Sequence, residues 1–342
     1  MSASQKFNLI CRVKAFAQLG EEIKGLPLAQ REAIQQAAVS ENPWFTSVNV
    51  EMALTGITKF LSEPALRRWT SPYTLEGRRP KTIGVIMAGN IPLVGFHDLL
   101  CVLISGNHLK AKLSSQDSVL MTYLYQLLLR IEPEFHDRVQ FAERLDNVDA
   151  VIATGSDNTA RYFEYSFRTT PRIIRRNRSS CAIISGDELP AEISALGTDV
   201  FSYFGLGCRN VSKLYVPAGY DLTKLFRGWE KFGTTLHHPK YANNYDYQKS
   251  ILRVNRIPFF DNGFVLLKND SSFVSPISVL YFEYFDDTGD LQKKMESHRG
   301  KIQCMVSARR WFDGSEAFGQ AQFPEVTDYA DKIDTLKFLV EC

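Results

Sequence analysis

Cys208 is the residue of this chain best suited by its neighbours to covalent chemistry. It stands in Phe204-Gly205-Leu206-Gly207-Cys208-Arg209-Asn210, which joins an apolar, helix-like segment (193–204) to a β-type run, Val211-Ser212-Lys213-Leu214-Tyr215-Val216. Gly205 and Gly207 let the backbone turn tightly, and Arg209 is expected to bring positive charge beside the sulfur. A nearby cation or a helix end favours the thiolate, which is the nucleophile. A lone cysteine is more often a small buried hydrophobe, so the motif needs support from the elements around it.

Those elements predict two further sites. Residues 1–78 read as helices with short breaks: Val50, Ala53, Leu54, Ile57, Phe60 and Leu61 fall at helical spacing after Asn49, a candidate cap. From Lys81 strands alternate with helices. A strand over 82–87 runs into the turn Ala88-Gly89-Asn90-Ile91-Pro92, then a helix over 94–105, the turn Gly106-Asn107 and a strand over 108–113. Ser114-Ser115-Gln116-Asp117-Ser118 offers caps for a helix over 119–130. Short strands follow at 139–142 and 150–153, the latter ending in Thr154-Gly155-Ser156-Asp157 before a helix over 158–167 with Thr159 in its first turn. This alternation predicts a parallel sheet covered on both faces. Ligands of such sheets sit beyond the strand C-termini, where loop amides and helix N-termini attract anions. The loops 88–92 and 154–157 therefore qualify as phosphate or ribose sites, although neither carries the dinucleotide or P-loop glycine fingerprint.

Composition bounds the remaining choices. A length of 342 residues suggests two domains. The apolar fraction of 44% and charged fraction of 23% describe an ordinary globular protein. A net charge of +2 predicts no nucleic-acid or anionic-membrane partner. Cys11, Cys101, Cys181, Cys208, Cys304 and Cys342 are scattered, without a CxxC pair or a histidine at ligand spacing. That argues against a metal site or a disulfide framework and suits a reducing cytoplasm, the expected location. Residues 1–20 lack the long apolar core of a signal peptide. The run 83–106 is long enough to span a bilayer, but Asn90, Pro92, His97 and Asp98 lie inside it, and a buried strand followed by a buried helix fits better.

The order of these pieces resembles the aldehyde dehydrogenase superfamily. Gly89-Asn90-Ile91-Pro92 is similar to its Asn-x-Pro loop. Ser105-Gly106-Asn107 through Lys112-Leu113-Ser114-Ser115 is similar to its "AGN" turn and "KPSE" strand end, Thr154-Gly155-Ser156 to its "TGS" loop, and Gly207-Cys208 to the segment carrying its nucleophile. Ser275-Pro276-Ile277 up to Phe285-Asp286-Asp287, and then 300–307, resemble later family segments, so the likeness covers roughly 81–307. Within the superfamily the chain looks most like the acyl-CoA reductases of the LuxC type, which reduce fatty acyl-CoA to aldehyde with NADPH. Arg175, or a neighbour in Arg175-Arg176-Asn177-Arg178, stands where the family's water-activating glutamate would be. An enzyme working between thioester and aldehyde has no use for that carboxylate. Ser115 replaces the "KPSE" glutamate that holds the ribose, which admits a 2′-phosphate and makes NADP(H) the expected cofactor, with NAD(H) the alternative. Ser272 and Val274 would likewise stand near a ribose-binding glutamate and a nicotinamide-side phenylalanine.

The resemblance implies an α/β, aldehyde dehydrogenase-like fold: a Rossmann-type cofactor domain, a second α/β catalytic domain and a helical N-terminal region. The expected boundaries are 1–200 for the helical region with the NAD(P)-binding domain, 201–310 for the catalytic domain, and 311–342 for a segment returning to the cofactor domain or to a dimer partner. It implies an acyl-enzyme on Cys208, released as aldehyde by hydride from NADPH, with Asn90 stabilising the oxyanion. Lys112 would hold the adenosine ribose, with Ser114 and Ser115 beside the 2′ position, Gly155 and Ser156 at the pyrophosphate, and Ala88, Gly89 and Thr159 nearby. Each has a plainer reading: Asn90 as a turn residue and Lys112 as a strand-end surface charge. Arg168, Arg172, Arg175, Arg176 and Arg178 would meet CoA or NADP phosphates or form a solvated face. His97, His237 and His238 match no family position, Cys101 is packing, and the base that deprotonates Cys208 is unassigned. Asn243-Asn244-Tyr245-Asp246-Tyr247-Gln248 lines an acyl or CoA entrance or begins a helix. Leu336-Lys337-Phe338-Leu339-Val340 reads as a strand, suited to a homodimer. The rival functions are an NAD(P)-dependent aldehyde dehydrogenase forming the acid, and a non-catalytic acyl carrier or partner subunit of an acyltransferase or synthetase.

Overall fold

The structure, a computed structural model, describes residues 7–342, so the reading of 1–20 falls partly outside the described residues. The chain forms two compact units, one of residues up to Asn177 with Pro324–Cys342, the other Arg178–Phe323. No helix among the described residues is long and apolar enough to cross a membrane.

The first unit opens with helices α1 (Leu9–Lys24), α2 (Leu28–Glu41), α3 (Ser47–Phe60) and α4 (Glu63–Thr70). Thr46, not Asn49, caps α3 by accepting from the Asn49 amide at 3.4 Å. Asn49 sits inside the helix and donates to the Trp44 carbonyl at 3.1 Å. The sheet that follows contains β1 (Thr82–Ile86), β2 (His108–Lys112), β3 (Val139–Phe141), β4 (Ala150–Thr154) and β5 (Arg172–Arg175). Its order is β3-β2-β1-β4-β5, and all its pairings are parallel. Continuous apolar strands such as β4, with Ala150 to Ala153 fully buried, are what a sheet covered on both faces requires. The crossovers supply α5 (Phe96–Ile104), α6 (Ser118–Ile131) and α7 (Asp157–Ser166). The run 83–106 is thus a buried strand and a buried helix.

The last stretch of chain belongs to this unit. His97 Nε2 lies 2.8 Å from the Val326 carbonyl, Trp69 Nε1 donates to the Tyr329 hydroxyl at 2.7 Å, and Tyr73 donates to Asp334 at 2.8 Å. Residues 336–340, expected as a strand, lie instead in helix α12 (Thr335–Glu341). Asp334 caps it by accepting from the Lys337 amide at 2.9 Å, and Leu336 and Leu339, three apart, are both buried.

The second unit is built on a sheet of order β12-β11-β6-β7-β10-β9-β8. Its strands are β6 (Ser179–Ile183), β7 (Val211–Pro217), β8 (Phe260–Asp261), β9 (Leu266–Asn269), β10 (Val279–Phe285), β11 (Ile302–Ser307) and β12 (Glu316–Ala317). The pairings are parallel except β8 with β9. Because β6 is hydrogen-bonded between β7 and β11, the chain changes unit at 177/178 rather than at the expected 200/201. Helices α8 (Pro190–Phe201), α9 (Thr223–Trp229), α10 (Pro239–Val254) and α11 (Thr288–Glu296) complete it. The core gathers Leu196, Leu214, Val216 and Trp229, all fully buried. Cys208 lies on the connection from α8 to β7.

Candidate active site

In the first unit, the C-terminal ends of β1, β2 and β3 open on a cleft of about 680 Å³. Lys112, Ser114, Ser115 and Ser118 form its polar wall, Met87 and Phe141 contribute apolar surface, and Glu143 adds a carboxylate. An ammonium group and the hydroxyls of Ser114 and Ser115 beside an aromatic ring form a donor set that fits the adenosine half of a nicotinamide dinucleotide, while the Ser118 hydroxyl donates to Glu41. The cleft thus brings together Lys112, Ser114 and Ser115. Gly89 lets the turn after β1 lie against this wall, since a Cβ there would stand 2.6 Å from Ser114 Cβ.

The second loop leaves the sheet beside the first, because β1 and β4 are paired neighbours on either side of the point where strand order reverses. Ser156 caps α7, accepting from the Thr159 amide at 3.2 Å, and the two hydroxyls lie 2.8 Å apart. A Cβ on Gly155 would stand 3.0 Å from Thr159 Cβ, so the loop packs directly on the first turn of α7. Amides at such a terminus carry partial positive charge that suits a pyrophosphate. Asn90 is exposed on the other loop, between Ala88-Gly89 and Leu93.

Sequence reasoning missed what holds that other loop. Leu93 has φ +59°, a left-handed conformation costly for a branched side chain. Its amide donates to Asp117 Oδ2 at 2.7 Å. Asp117 is 1% exposed, and burial pushes its carboxyl up to about 8, against the Leu93 amide and with help from Glu41. Asp117 does not cap α6, as the run 114–118 suggested. Glu41 does, accepting from the Ser118 and Val119 amides at 3.0 and 3.1 Å.

In the second unit, Cys208 is half-buried and occupies a four-residue turn closed by the Asn210 amide donating to the Gly207 carbonyl at 3.0 Å. The approach to it is strained: Tyr203, Phe204 and Gly205 have φ of +51°, +56° and +80°. Left-handed backbone costs roughly 1–2 kcal/mol for each non-glycine residue, so Tyr203 and Phe204 hold conformations that the surroundings must enforce. A small pocket of about 30 Å³ borders this connection, lined by Val200, Phe204, Gly205 and Ile277 together with the polar Ser212, Ser275 and Ser278. Lys213, fully buried on β7, fastens the chain just before the Ser275 wall. It pairs with Glu283 at 2.6 Å and donates to the Ser272 carbonyl at 3.3 Å.

Several expectations change. The Arg209 guanidinium donates to the Ala321 carbonyl at 2.5 Å and lies 3.7 Å from Cys304 Sγ. It also faces Asp199, whose carboxyl burial pushes up to about 7 although it accepts from the Gly319 and Ala321 amides at 2.6 and 3.0 Å. Arg175 is 4% exposed and paired with Asp98 at 2.5 Å, so it cannot meet a phosphate. Arg172 donates to the Phe167 and Arg168 carbonyls at 3.2 Å, and Arg176 pairs with Glu164 at 2.7 Å. The residues 243–248 lie inside α10, which begins at Pro239, so they do not start a helix. No cluster able to hold a metal ion occurs among the described residues.

Comparison with known proteins agrees with this geometry. The family described as acyl-CoA reductase (LuxC) matches residues 47–223. No curated protein sequence matches the chain. In structure it is similar to aldehyde dehydrogenase 21 of Physcomitrella patens in complex with the reaction product succinate, at 12% identity and TM-score 0.68 over 98% of this chain and 84% of that one. It is also similar to the NAD+ complex of aldehyde dehydrogenase from Bacillus cereus, at 13% identity and TM-score 0.64 over 90% and 73%. The Mycobacterium tuberculosis aldehyde dehydrogenase complexed with NAD+ matches at 14% identity and TM-score 0.63 over 86% and 72%. At such identities the likeness is one of fold, and it agrees with the α/β, aldehyde dehydrogenase-like class expected from the sequence.

Proposed function

Because the chain belongs to the acyl-CoA reductase (LuxC) family, we propose that it reduces a fatty acyl thioester, acyl-CoA in the first instance, to the aldehyde with NADPH through an acyl-enzyme on Cys208. The observation that carries this reading is the placement of Cys208, half-buried in a turn that directly follows the left-handed residues Tyr203 and Phe204. The Cys208 thiolate attacks the thioester carbonyl, a new carbon–sulfur bond forms, and the CoA thiolate leaves. The family resemblance assigns Asn90 as the donor to the oxyanion, a role whose loss typically costs roughly 3–4 kcal/mol of transition-state stabilisation.

When bound, the reduced nicotinamide supplies the hydride. Lys112 holds the adenosine ribose, Ser114 and Ser115 face its 2′ position, and the loop of Gly155 and Ser156 at the start of α7 meets the pyrophosphate. Ala88, Gly89 and Thr159 shape the loops that carry these groups. Once its carbonyl carbon has taken that hydride, the acyl group leaves as aldehyde as the carbon–sulfur bond breaks, restoring the Cys208 thiolate.

The test is direct. Acyl-CoA and NADPH together should give loss of nicotinamide absorbance and an aldehyde, and Cys208→Ala should abolish both. Intact mass should show an acyl adduct on Cys208 without NADPH that disappears when NADPH is added. A stable adduct would instead mark a carrier, and a carboxylic acid product would mark an aldehyde dehydrogenase.

A further inference from the structure

Asn210 is a polar side chain with 1% exposure, two residues beyond the cysteine, and all of its side-chain hydrogen bonds are to backbone. Its Oδ1 accepts from the Gly207 amide at 2.8 Å. Its Nδ2 donates to the carbonyls of Asp199 and Ser202 at 3.1 and 2.8 Å, with Val200 at 3.5 Å. One amide group therefore joins the end of α8 to the residue before Cys208, bridging the left-handed residues 203–205. From the other side Ser180, fully buried on β6, donates its hydroxyl to the Cys208 carbonyl at 3.0 Å. Ser180 also donates its amide to the Asn210 carbonyl at 3.1 Å.

An amide placed only to satisfy a loop would bond to one or two neighbours. Here the bonds close across the strained residues Tyr203 and Phe204, from Asp199 and Ser202 on one side to Gly207 on the other, and relaxing that segment would move the sulfur. A displacement of about 1 Å at a reacting group costs on the order of 100-fold in rate. We infer that Asn210 and Ser180 are positioning residues for Cys208, forming a backbone clamp that sets the turn on which its sulfur is presented. The inference builds on the proposed acyl-enzyme, but the clamp itself can be tested without an acyl substrate.

The experiment uses the full chain as wild type, Asn210→Asp and Ser180→Ala. The carboxylate introduced by Asn210→Asp would keep the acceptor for Gly207 and lose every donor to the three carbonyls, whereas Ser180→Ala removes one donor to Cys208 alone. Alkylation of Cys208 by iodoacetamide is followed by peptide mass across a pH series, acyl-adduct formation by intact mass, and NADPH affinity by fluorescence. Both variants should melt as one transition and bind NADPH as the wild type does. Adduct formation should slow about 100-fold in Asn210→Asp and about tenfold in Ser180→Ala, and the alkylation profile should move along the pH axis. Wild-type alkylation and adduct rates in either folded variant overturn the clamp. Should Asn210→Asp not fold, Ser180→Ala decides alone. A wild type that is alkylated but never acylated sinks the proposed reaction and leaves the clamp to stand or fall on the alkylation profile.

Discussion

The amide of Leu93 points at Asp117 Oδ2 from 2.7 Å away. This bond ties the turn that carries Asn90 to the start of α6, whose Ser118 lines the cleft with Ser114 and Ser115. The loop proposed to act on the carbonyl and the wall proposed to hold the ribose therefore share one buried carboxyl group. Its other oxygen, Oδ1, has no hydrogen-bond partner, and an orphaned buried acceptor favours the protonated acid, which can donate.

That carboxyl group should make stability depend on pH. Burial raises it from 3.8 to about 8, so between those values the unfolded chain is ionised while the folded chain keeps its proton. Its favourable contribution is full below the unfolded value and is lost as pH rises through about 8. Asp117→Asn, neutral at every pH and still able to accept from Leu93, should not show this loss. From about pH 6 to about pH 9 the wild type should lose on the order of 1–3 kcal/mol relative to the variant, a few degrees in Tm. Parallel melting curves for the two proteins across that range would count against the assignment.

Removing one partner of the Asp98–Arg175 pair should be costly. The side chains are 8% and 5% exposed, and Arg175 also donates to Thr335 Oγ1 at 3.1 Å, so the pair pins α12 as well. Asp98→Ala leaves a guanidinium buried without its counterion, at a cost of about 3–5 kcal/mol. Urea unfolding of Asp98→Ala beside Asp98→Leu/Arg175→Leu measures it. The double variant should be the more stable of the two, and a single variant within about 1 kcal/mol of wild type would refute the argument.

The sequence made the alternation of strands and helices legible because buried parallel strands are short apolar runs and their turns need glycine, as at Gly89 and Gly155. It also placed Lys112, Ser114 and Ser115 together, since neighbouring positions at one strand end must share a wall. What it could not show were contacts made across long separations. Glu41 caps α6 from a distant helix, Asp98 lies far in sequence from Arg175, and Glu143 reaches the cleft from β3. Asn210 was in view from the start, but a local amide gives no sign in one dimension of whether it faces solvent or backbone. The tail was misread because 336–340 is too short to separate period two from a capped helical turn, and the deciding residue, Asp334, lies just before it.

Cofactor preference should follow the charges of the cleft. Lys112 and Glu143 are the charged residues lining it, and they act in opposite directions on a 2′-phosphate. Lys112→Ala removes a charge-assisted contact worth about 1.5–3 kcal/mol, so the KM for NADPH should rise roughly 10- to 100-fold. Glu143→Gln removes a like charge and should lower it by a factor of about 2–5, an effect of less than about 1 kcal/mol at an exposed site. Ser115→Glu restores a carboxylate where the ribose 2′ position is proposed to lie, and should turn the preference towards NADH, because a carboxylate accepts from the free hydroxyl and repels the phosphate. Initial rates with NADPH and NADH for the three variants distinguish these effects. An unchanged NADPH-to-NADH ratio in both Lys112→Ala and Ser115→Glu would place the adenosine outside this cleft.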